Sequence, residues 1–320
     1  MFESSQIQRT SNEGNLSVTR SKVLCLVLNY NEPESTVDTV ESLLRAKVLS
    51  EDILIIDNAS QDKSLEIFAQ KIPSVPIQRQ SQNLGYAGGN NKGLEYATRK
   101  GYEFALILNN DICVDPNSIT ELEKAASIHL NSCLMSPRVM HHDEPSKIDS
   151  LGTDMDWLRL KPRLSFFGQV YNHQITDNDP CSILPGSALW VRLACIPDLG
   201  YLNEDYFLIH EDAEWSLRSL NKGFVNRVIP SAIVYHKRSQ TLSKYPYLSA
   251  YYSSRNFLRL AFSYGSGIER GLALLGVLFK MIQFGLLINF ASARQKKEIQ
   301  GFFKGIQHYA RNIKGKFPEQ

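Results

Sequence analysis

Short apolar runs alternate with amphipathic stretches through the first part of the chain. Residues 23–28 contain only Val, Leu and Cys, which predicts a strand buried on both faces. A helical pattern over 35–44 places Val37, Val40, Leu43 and Leu44 on one side. A second apolar run at 53–56, a helix over 64–70 and a weak strand at 75–78 follow. A helix from Asn90 to Arg99, a strand at 104–108 and a helix from 116 to about 130 continue the alternation. Strands and helices at this spacing predict βαβ units and a mostly parallel sheet. Residues 135–140 read as a further strand, and 142–180 as hairpins or an acceptor-facing insertion. A helix over 212–221 and two short strands at 224–229 and 232–235 close this region.

Polar clusters stand directly after the apolar runs: Asn29 and Asn31, Asp57 and Asn58, then Asn109, Asn110 and Asp111. Asn and Asp favour turns wherever they occur. Three such clusters on successive strands nevertheless predict one crevice, because open α/β sheets bind ligands outside the carboxyl ends of their strands. A glycine-rich segment, Gly85 to Gly89, brings backbone close to a ligand where no Cβ intrudes. Asn90 is expected to open a helix whose N–H groups face phosphate or sugar oxygens.

Composition narrows the function classes. The 320 residues carry a net charge of +2, which gives no electrostatic footprint for nucleic acid. Five cysteines, an odd number without a C-x-x-C pair, predict reduced thiols and a reducing compartment. Residues 1–21 are polar, with no apolar core of a secretory leader, and read as a disordered tail. The glycines fit neither G-x-G-x-x-G nor a phosphate-loop G-K-[ST].

The residues Val27-Leu28-Asn29-Tyr30-Asn31, Ile56 to Asp62, Asn83 to Asn91, Leu108 to Asp111, Gly186-Ser187-Ala188 and Glu211-Asp212 stand in one order. In that order the chain resembles the family-2 glycosyltransferases, inverting enzymes of the GT-A fold, and among them the rhamnosyltransferase-like branch. The resemblance covers roughly residues 22–260. It implies a Rossmann-like α/β sheet flanked by helices, with a helical extension over 261–320. The implied donor is a dTDP- or UDP-linked sugar, held by Asn29, Asn31, Asp57, Asn83, Gly85, Gly88, Gly89, Asn90 and Asn110. Asp57 is the implied reader of the pyrimidine ring. Arg218 either reaches the diphosphate or pairs with a carboxylate.

Asn109 replaces the first Asp of the family's D-x-D motif, and Asp111 keeps the second. The resemblance therefore implies Mg²⁺ or Mn²⁺ on Asp111, with His236 as a second ligand. Asp212 is the implied general base and Glu211 its orienting neighbour. Gly186, Ser187 and Trp215 are expected on the acceptor side, although Trp215 also suits a core. The implied reaction moves a sugar, rhamnose as the best match, to a saccharide or lipid-linked saccharide of a cell-envelope polymer. The rivals are a catalytically inactive nucleotide-sugar binder and a sugar-nucleotide pyrophosphorylase.

Residues 271–293 are apolar apart from Lys280, Gln283, Asn289 and Ser292, and Arg294, Lys296 and Lys297 follow. Gly276, Lys280 and Gln283 share one helical face, which predicts a helix lying in a membrane interface. A core or homodimer helix and a true span are the alternatives. The expected location is cytoplasmic, or peripheral on the cytoplasmic face of the inner membrane. Deleting residues 271–320 is expected to leave nucleotide binding intact.

Overall fold

The computed structural model describes residues 22–163, 165–238 and 244–318; the expected tail at 1–21 lies outside them. The strands are β1 (Val23–Asn29), β2 (Ile53–Asp57), β3 (Ile77–Arg79), β4 (Phe104–Asn109), β5 (Ile112–Val114) and β6 (Leu134–His141). They continue with β7 (Ile148–Ser150), β8 (Asp154–Asp156), β9 (Lys161–Arg163), β10 (Ala188–Arg192) and β11 (Arg227–His236). The helices are α1 (Pro33–Arg45), α2 (Ser64–Lys71), α3 (Gly85–Lys100), α4 (Ser118–Ile128) and α5 (Ile196–Leu199). After these come α6 (Glu211–Asn221), α7 (Pro246–Tyr264), α8 (Gly267–Leu287) and α9 (Ala293–Ala310).

Among the described residues nine strands form one sheet in the order β3-β2-β1-β4-β10-β6-β11-β5, with β7 on the far edge of β6. The β3-β2-β1-β4 half is parallel, as the alternation predicts. β10 runs antiparallel between β4 and β6 and makes the sheet mixed. β1 shows why its sequence lacks polar alternation. Val23, Cys25 and Val27 pack with α1 and α2 on one face, while Leu24 and Leu26 pack with α3 on the other. Full burial of a side chain such as Leu26 contributes about 1.5–3 kcal/mol.

Several expectations need correction. α3 begins at Gly85, so Gly88, Gly89 and Asn90 lie inside a helix and not in a loop before one. Three glycines spaced by four explain this. A Cβ on Gly85 would stand 2.2 Å from the Phe207 carbonyl, one on Gly89 2.5 Å from Leu28, and one on Gly93 2.8 Å from Leu26. Close approach of α3 to β1 outweighs the roughly 1 kcal/mol that each helical glycine costs. The two strands expected after 224 are one strand, β11, with a register shift between Ile229 and Ile233 around Pro230. Proline cannot donate to the ladder, and the strand bulges there.

Cys133 and Cys195 are joined, Cα to Cα 5.8 Å apart, against the expectation of thiols only. The pairing of β10 with β6 brings them together across 62 residues, which no local spacing could reveal. The cysteines thus give no argument for a reducing compartment. The boundary drawn at residue 260 falls within α7. α7 packs along α9, and the two share a core with the hairpin β8-β9 through Met155, Phe257, Leu260 and Phe302.

Candidate active site

The strand ends assemble the site. Register places Asn29 beside Asp57 and Leu28 beside Asn109, so the three polar clusters stand side by side at the carboxyl ends of β2, β1 and β4. The antiparallel pairing of β11 with β5 sets His236 opposite Ile112, next to Asp111. The backbone N–H of Asn109 donates to the Ser187 carbonyl at 2.9 Å, which ties the Gly186–Ser187 turn to the same strand end.

Asn29 and Asp57 form an interior network. The Asn29 amide donates to Asp57 at 3.0 Å, Ser60 at 2.9 Å and Ser64 at 3.1 Å, and it accepts from Thr36 at 2.8 Å. Asn29 is fully buried and both of its amide N–H donors are spent inside this network. Asp57 also accepts from the Ser60 backbone and lies 3.7 Å from the exposed guanidinium of Arg79. Arg79 escaped the sequence reading because β3 is only three residues long. Asn31 is exposed, with its backbone at φ +54° and its side chain accepting from Gln61.

Asn83 accepts from Gly85 at 2.8 Å and from Asn58 at 3.0 Å, so the pair starts α3. Asn90 is fully buried and donates to the Tyr86 carbonyl one turn back; its backbone is not at the helix start. Gly88 and Gly89 face Leu84 and Leu28. These residues form the start of α3, where Asn83 is half-buried and the buried side-chain oxygen of Asn90 lacks a partner. Trp215 is wholly buried and donates to the Gly200 carbonyl. Arg218 spends its donors on Glu214 and on the carbonyls of Leu199 and Tyr201. Trp215 and Arg218 therefore spend these polar groups on holding α6 in place.

Two carboxylate groups remain directed at the chemistry. Asp111 lies 3.3 Å from His236 Nε2, and His236 Nδ1 meets Asp149 at 2.9 Å. Burial opposes the charge on His236, but its bonds to Asp111 and Asp149 outweigh burial and raise its pKa to about 9. Asp149 belongs to the segment that resisted sequence reading. Asn110 turns its carbonyl to Thr39 and its amide toward the Glu32 carbonyl.

At the other pole, Asp212 accepts the Gly186 N–H at 2.9 Å and the Ala213 N–H at 2.7 Å. Burial raises its pKa in spite of those bonds. Tyr86 donates to the Gly186 carbonyl, so both sides of that peptide turn are held. A Cβ on Gly186 would stand 2.9 Å from the Asp212 carboxylate, which is why glycine is required there.

Glu211 is buried, one of its oxygens lacks a partner, and burial together with the Asp212 charge pushes its pKa up to about 8. A carboxyl raised this way stays protonated in the fold over a pH range where the unfolded chain releases its proton. Stability therefore falls as pH rises from about 4.5 to about 8. Glu211→Gln is expected to flatten that fall and to raise Tm above pH 8. Melting curves across this range check it; an unchanged pH slope would show that Glu211 titrates normally.

The loop before α6 is unusual. Phe207, Ile209 and His210 all take left-handed backbone, with φ of 62°, 69° and 73°. Such conformations cost about 1–2 kcal/mol each for residues other than glycine. α7 holds the loop. The Asn256 amide donates to the carbonyls of Tyr206, Leu208 and Ile209 at 2.9, 2.8 and 2.7 Å. Arg255 donates to the carbonyls of Asp205 and Tyr206 and, at 2.7 Å, to that of Gly315 beyond α9. Nothing local in the sequence marks Arg255 and Asn256, since their partners are 47 to 60 residues away.

The Glycosyl transferase family 2 model matches residues 25–185. A low-salt glycan biosynthesis hexosyltransferase, Agl10 of Haloferax volcanii, is 25% identical over 200 residues, 61% of this chain. The match spans 60% of that relative's length. An N-acetylglucosaminyl-diphospho-decaprenol L-rhamnosyltransferase of Mycobacterium tuberculosis is 26% identical over 222 residues, 63% of this chain and 72% of that one. The dTDP-rhamnosyl transferase RfbF of Shigella flexneri is 22% identical over 308 residues, 92% of this chain and 96% of that protein. Among solved structures, the mannosyltransferase PcManGT from Pyrobaculum calidifontis, in complex with GDP-Man and Mn²⁺, aligns with a TM-score of 0.54 at 11% identity. That alignment covers 92% of this chain and 88% of the mannosyltransferase, and it shows the shared GT-A fold. The strand-end clusters, the sheet order and a family match over half of the sequence agree, and the chain belongs to glycosyl transferase family 2.

Proposed function

We propose that the chain is an inverting, metal-assisted glycosyltransferase that moves rhamnose from a dTDP- or UDP-linked donor to a saccharide on a lipid carrier. The observation that carries this reading is the pairing of two poles on one strand end. Asp212 is fixed through Gly186, and the adjoining Ser187 carbonyl is bonded to Asn109, two residues from Asp111. The names of the mycobacterial and Shigella relatives support the rhamnosyl donor and the lipid-linked acceptor.

Asp212 receives the acceptor's hydroxyl proton as that oxygen bonds to the anomeric carbon and the bond to the diphosphate breaks. Its raised pKa strengthens it as a base. Glu211, protonated near neutral pH, keeps a second negative charge away from Asp212. A divalent cation would be held by Asp111 and by His236 Nε2 on displacing the proton that Nε2 shares with Asp111, with Nδ1 still oriented by Asp149. Among the described residues no three His, Cys, Asp or Glu side chains are grouped to hold a metal, so the ion would need ligands from outside the protein, as a diphosphate could supply. When bound, the ion offsets the charge of the departing diphosphate.

Screening nucleotide-sugars by thermal shift, with and without Mn²⁺, tests the reading. A donor at about a hundred times its Kd stabilises by about 2.7 kcal/mol, a shift of several degrees. Asp111→Ala should remove the Mn²⁺-dependent part and lower turnover by about 10²-fold or more. Full activity in excess chelator would overturn the metal role. Absence of stabilisation by every nucleotide-sugar would overturn the function.

A further inference from the structure

α8 is amphipathic in the reverse sense. Ala273, Gly276 and Val277 pack inward, with Lys280 and Phe284 along the same side. A Cβ on Gly276 would stand 2.1 Å from the Leu158 carbonyl, so this is a tight protein contact. Lys280 turns into a cavity of about 210 Å³ between α7, α8 and α9, with its ammonium 5.2 Å from the Phe302 ring centre and 5.7 Å from Phe284. The face expected to meet water thus faces the protein at Gly276 and Lys280, and only Gln283 of that trio is exposed. The opposite face, Leu275, Phe279, Ile282 and Leu286 at i, i+4, i+7 and i+11, is open to solvent, Phe279 at 69%. Phe290 in the turn that follows is 88% exposed.

Charge accompanies this apolar surface. Residues 267–311 carry Arg270, Lys280, Arg294, Lys296, Lys297, Lys304 and Arg311 against Glu269 and Glu298, seven basic and two acidic, or +5, while the whole chain is +2. α9 returns to pack along α7, so both ends of α8 stay beside the catalytic body, an arrangement that suits a helix lying along a surface.

From these observations we infer that the outer face of α8 and the Phe290 turn dock into an anionic lipid bilayer, with a headgroup phosphate received between Lys280 and Arg294. The cavity offers the Ser249 and Ser253 side chains beside those two cations. Glu298 already pairs with Arg294 at 3.3 Å, which leaves Lys280 as the principal contact. An apolar strip rimmed by basic side chains is the surface that an interfacial helix presents to lipid. A second copy of this chain would bring the same +5 region against itself, which disfavours a homodimer on this face.

The test is flotation of the full chain with phosphatidylcholine vesicles, with and without about 30% phosphatidylglycerol. Binding is expected to be about tenfold or more stronger to the anionic vesicles. The pair Leu275→Glu and Phe279→Glu should abolish it, and Lys280→Gln should weaken anionic binding about fivefold. Nucleotide-sugar binding by the same variants should match wild type, which separates this inference from the catalytic one. It is overturned if wild type ignores both vesicle types, or if the glutamate variants still float. It is also overturned if sedimentation shows that they dissociate a stable dimer with no affinity for vesicles. Wild-type binding by Lys280→Gln would remove the phosphate contact.

Discussion

Asp212→Asn is expected to lower sugar transfer by about 10²–10⁴-fold, the contribution of a placed general base. The amide keeps the carboxylate's shape, and its oxygen can still accept the Gly186 N–H now met at 2.9 Å. It cannot take a proton at neutral pH. Donor affinity should stay near wild type, because the strand-end residues on β2 and β4 are untouched. The pH profile adds a second reading. Burial holds the Asp212 carboxyl above its ordinary range, so wild-type transfer should rise with pH past the usual carboxylate region before levelling. Transfer rates and donor dissociation constants for Asp212→Asn and Glu211→Gln check the assignment. Wild-type transfer by Asp212→Asn would move the base elsewhere, with Glu211 the first candidate.

Asn256→Ala should be the most damaging change outside the site itself. It leaves the carbonyls of Leu208 and Ile209 without their amide partner, while that of Tyr206 keeps Arg255, in a loop whose Phe207, Ile209 and His210 are held left-handed. Each unsatisfied buried group costs about 1–3 kcal/mol, and partial relaxation of the loop lowers the total to about 2–4 kcal/mol. The relaxation displaces Glu211 and Asp212, which follow directly. A misplacement of about 1 Å costs about 10²-fold in rate, so kcat should fall by that order while donor Kd holds. Thermal melts and a split of kcat from donor Kd measure this. A lower Tm with unchanged kcat would show that the loop keeps its shape by other means.

Sequence and structure agree best where local pattern and long-range packing ask for the same residues. The runs at 23–28, 53–56 and 104–108 are apolar throughout because both faces of β1, β2 and β4 are covered, and they were legible for that reason. Asp111, His236, Glu211 and Asp212 were visible as polar residues at the ends of such elements. Their supporting groups were not. Asp149 reaches His236 across 87 residues, and Tyr86 reaches Gly186 across 100. The glycines of α3 misled because a glycine that allows two elements to touch looks in sequence like one that allows a ligand to approach. Asn29 misled in the same way, since an amide that orients Asp57 is indistinguishable in sequence from one that binds a sugar. The reversed polarity of α8 needed the partner helices, because a helical wheel shows a stripe but not which side is outside.

The bond from Arg255 to the Gly315 carbonyl makes residues beyond α9 part of the catalytic loop's support. The family match ends at residue 185, before Asp212, its loop or that brace. Removing 271–320 is therefore expected to leave the donor strand ends intact, as read from the sequence, and in addition to lower transfer. Grafting 25–185 from one relative into another would carry over the donor-side strand ends but not the apparatus that activates the acceptor. On the proposed roles, donor-side and acceptor-side groups occupy separate stretches of the chain, so recombination would exchange one without the other, and drift near the carboxyl end would loosen Asp212 without altering the strand ends.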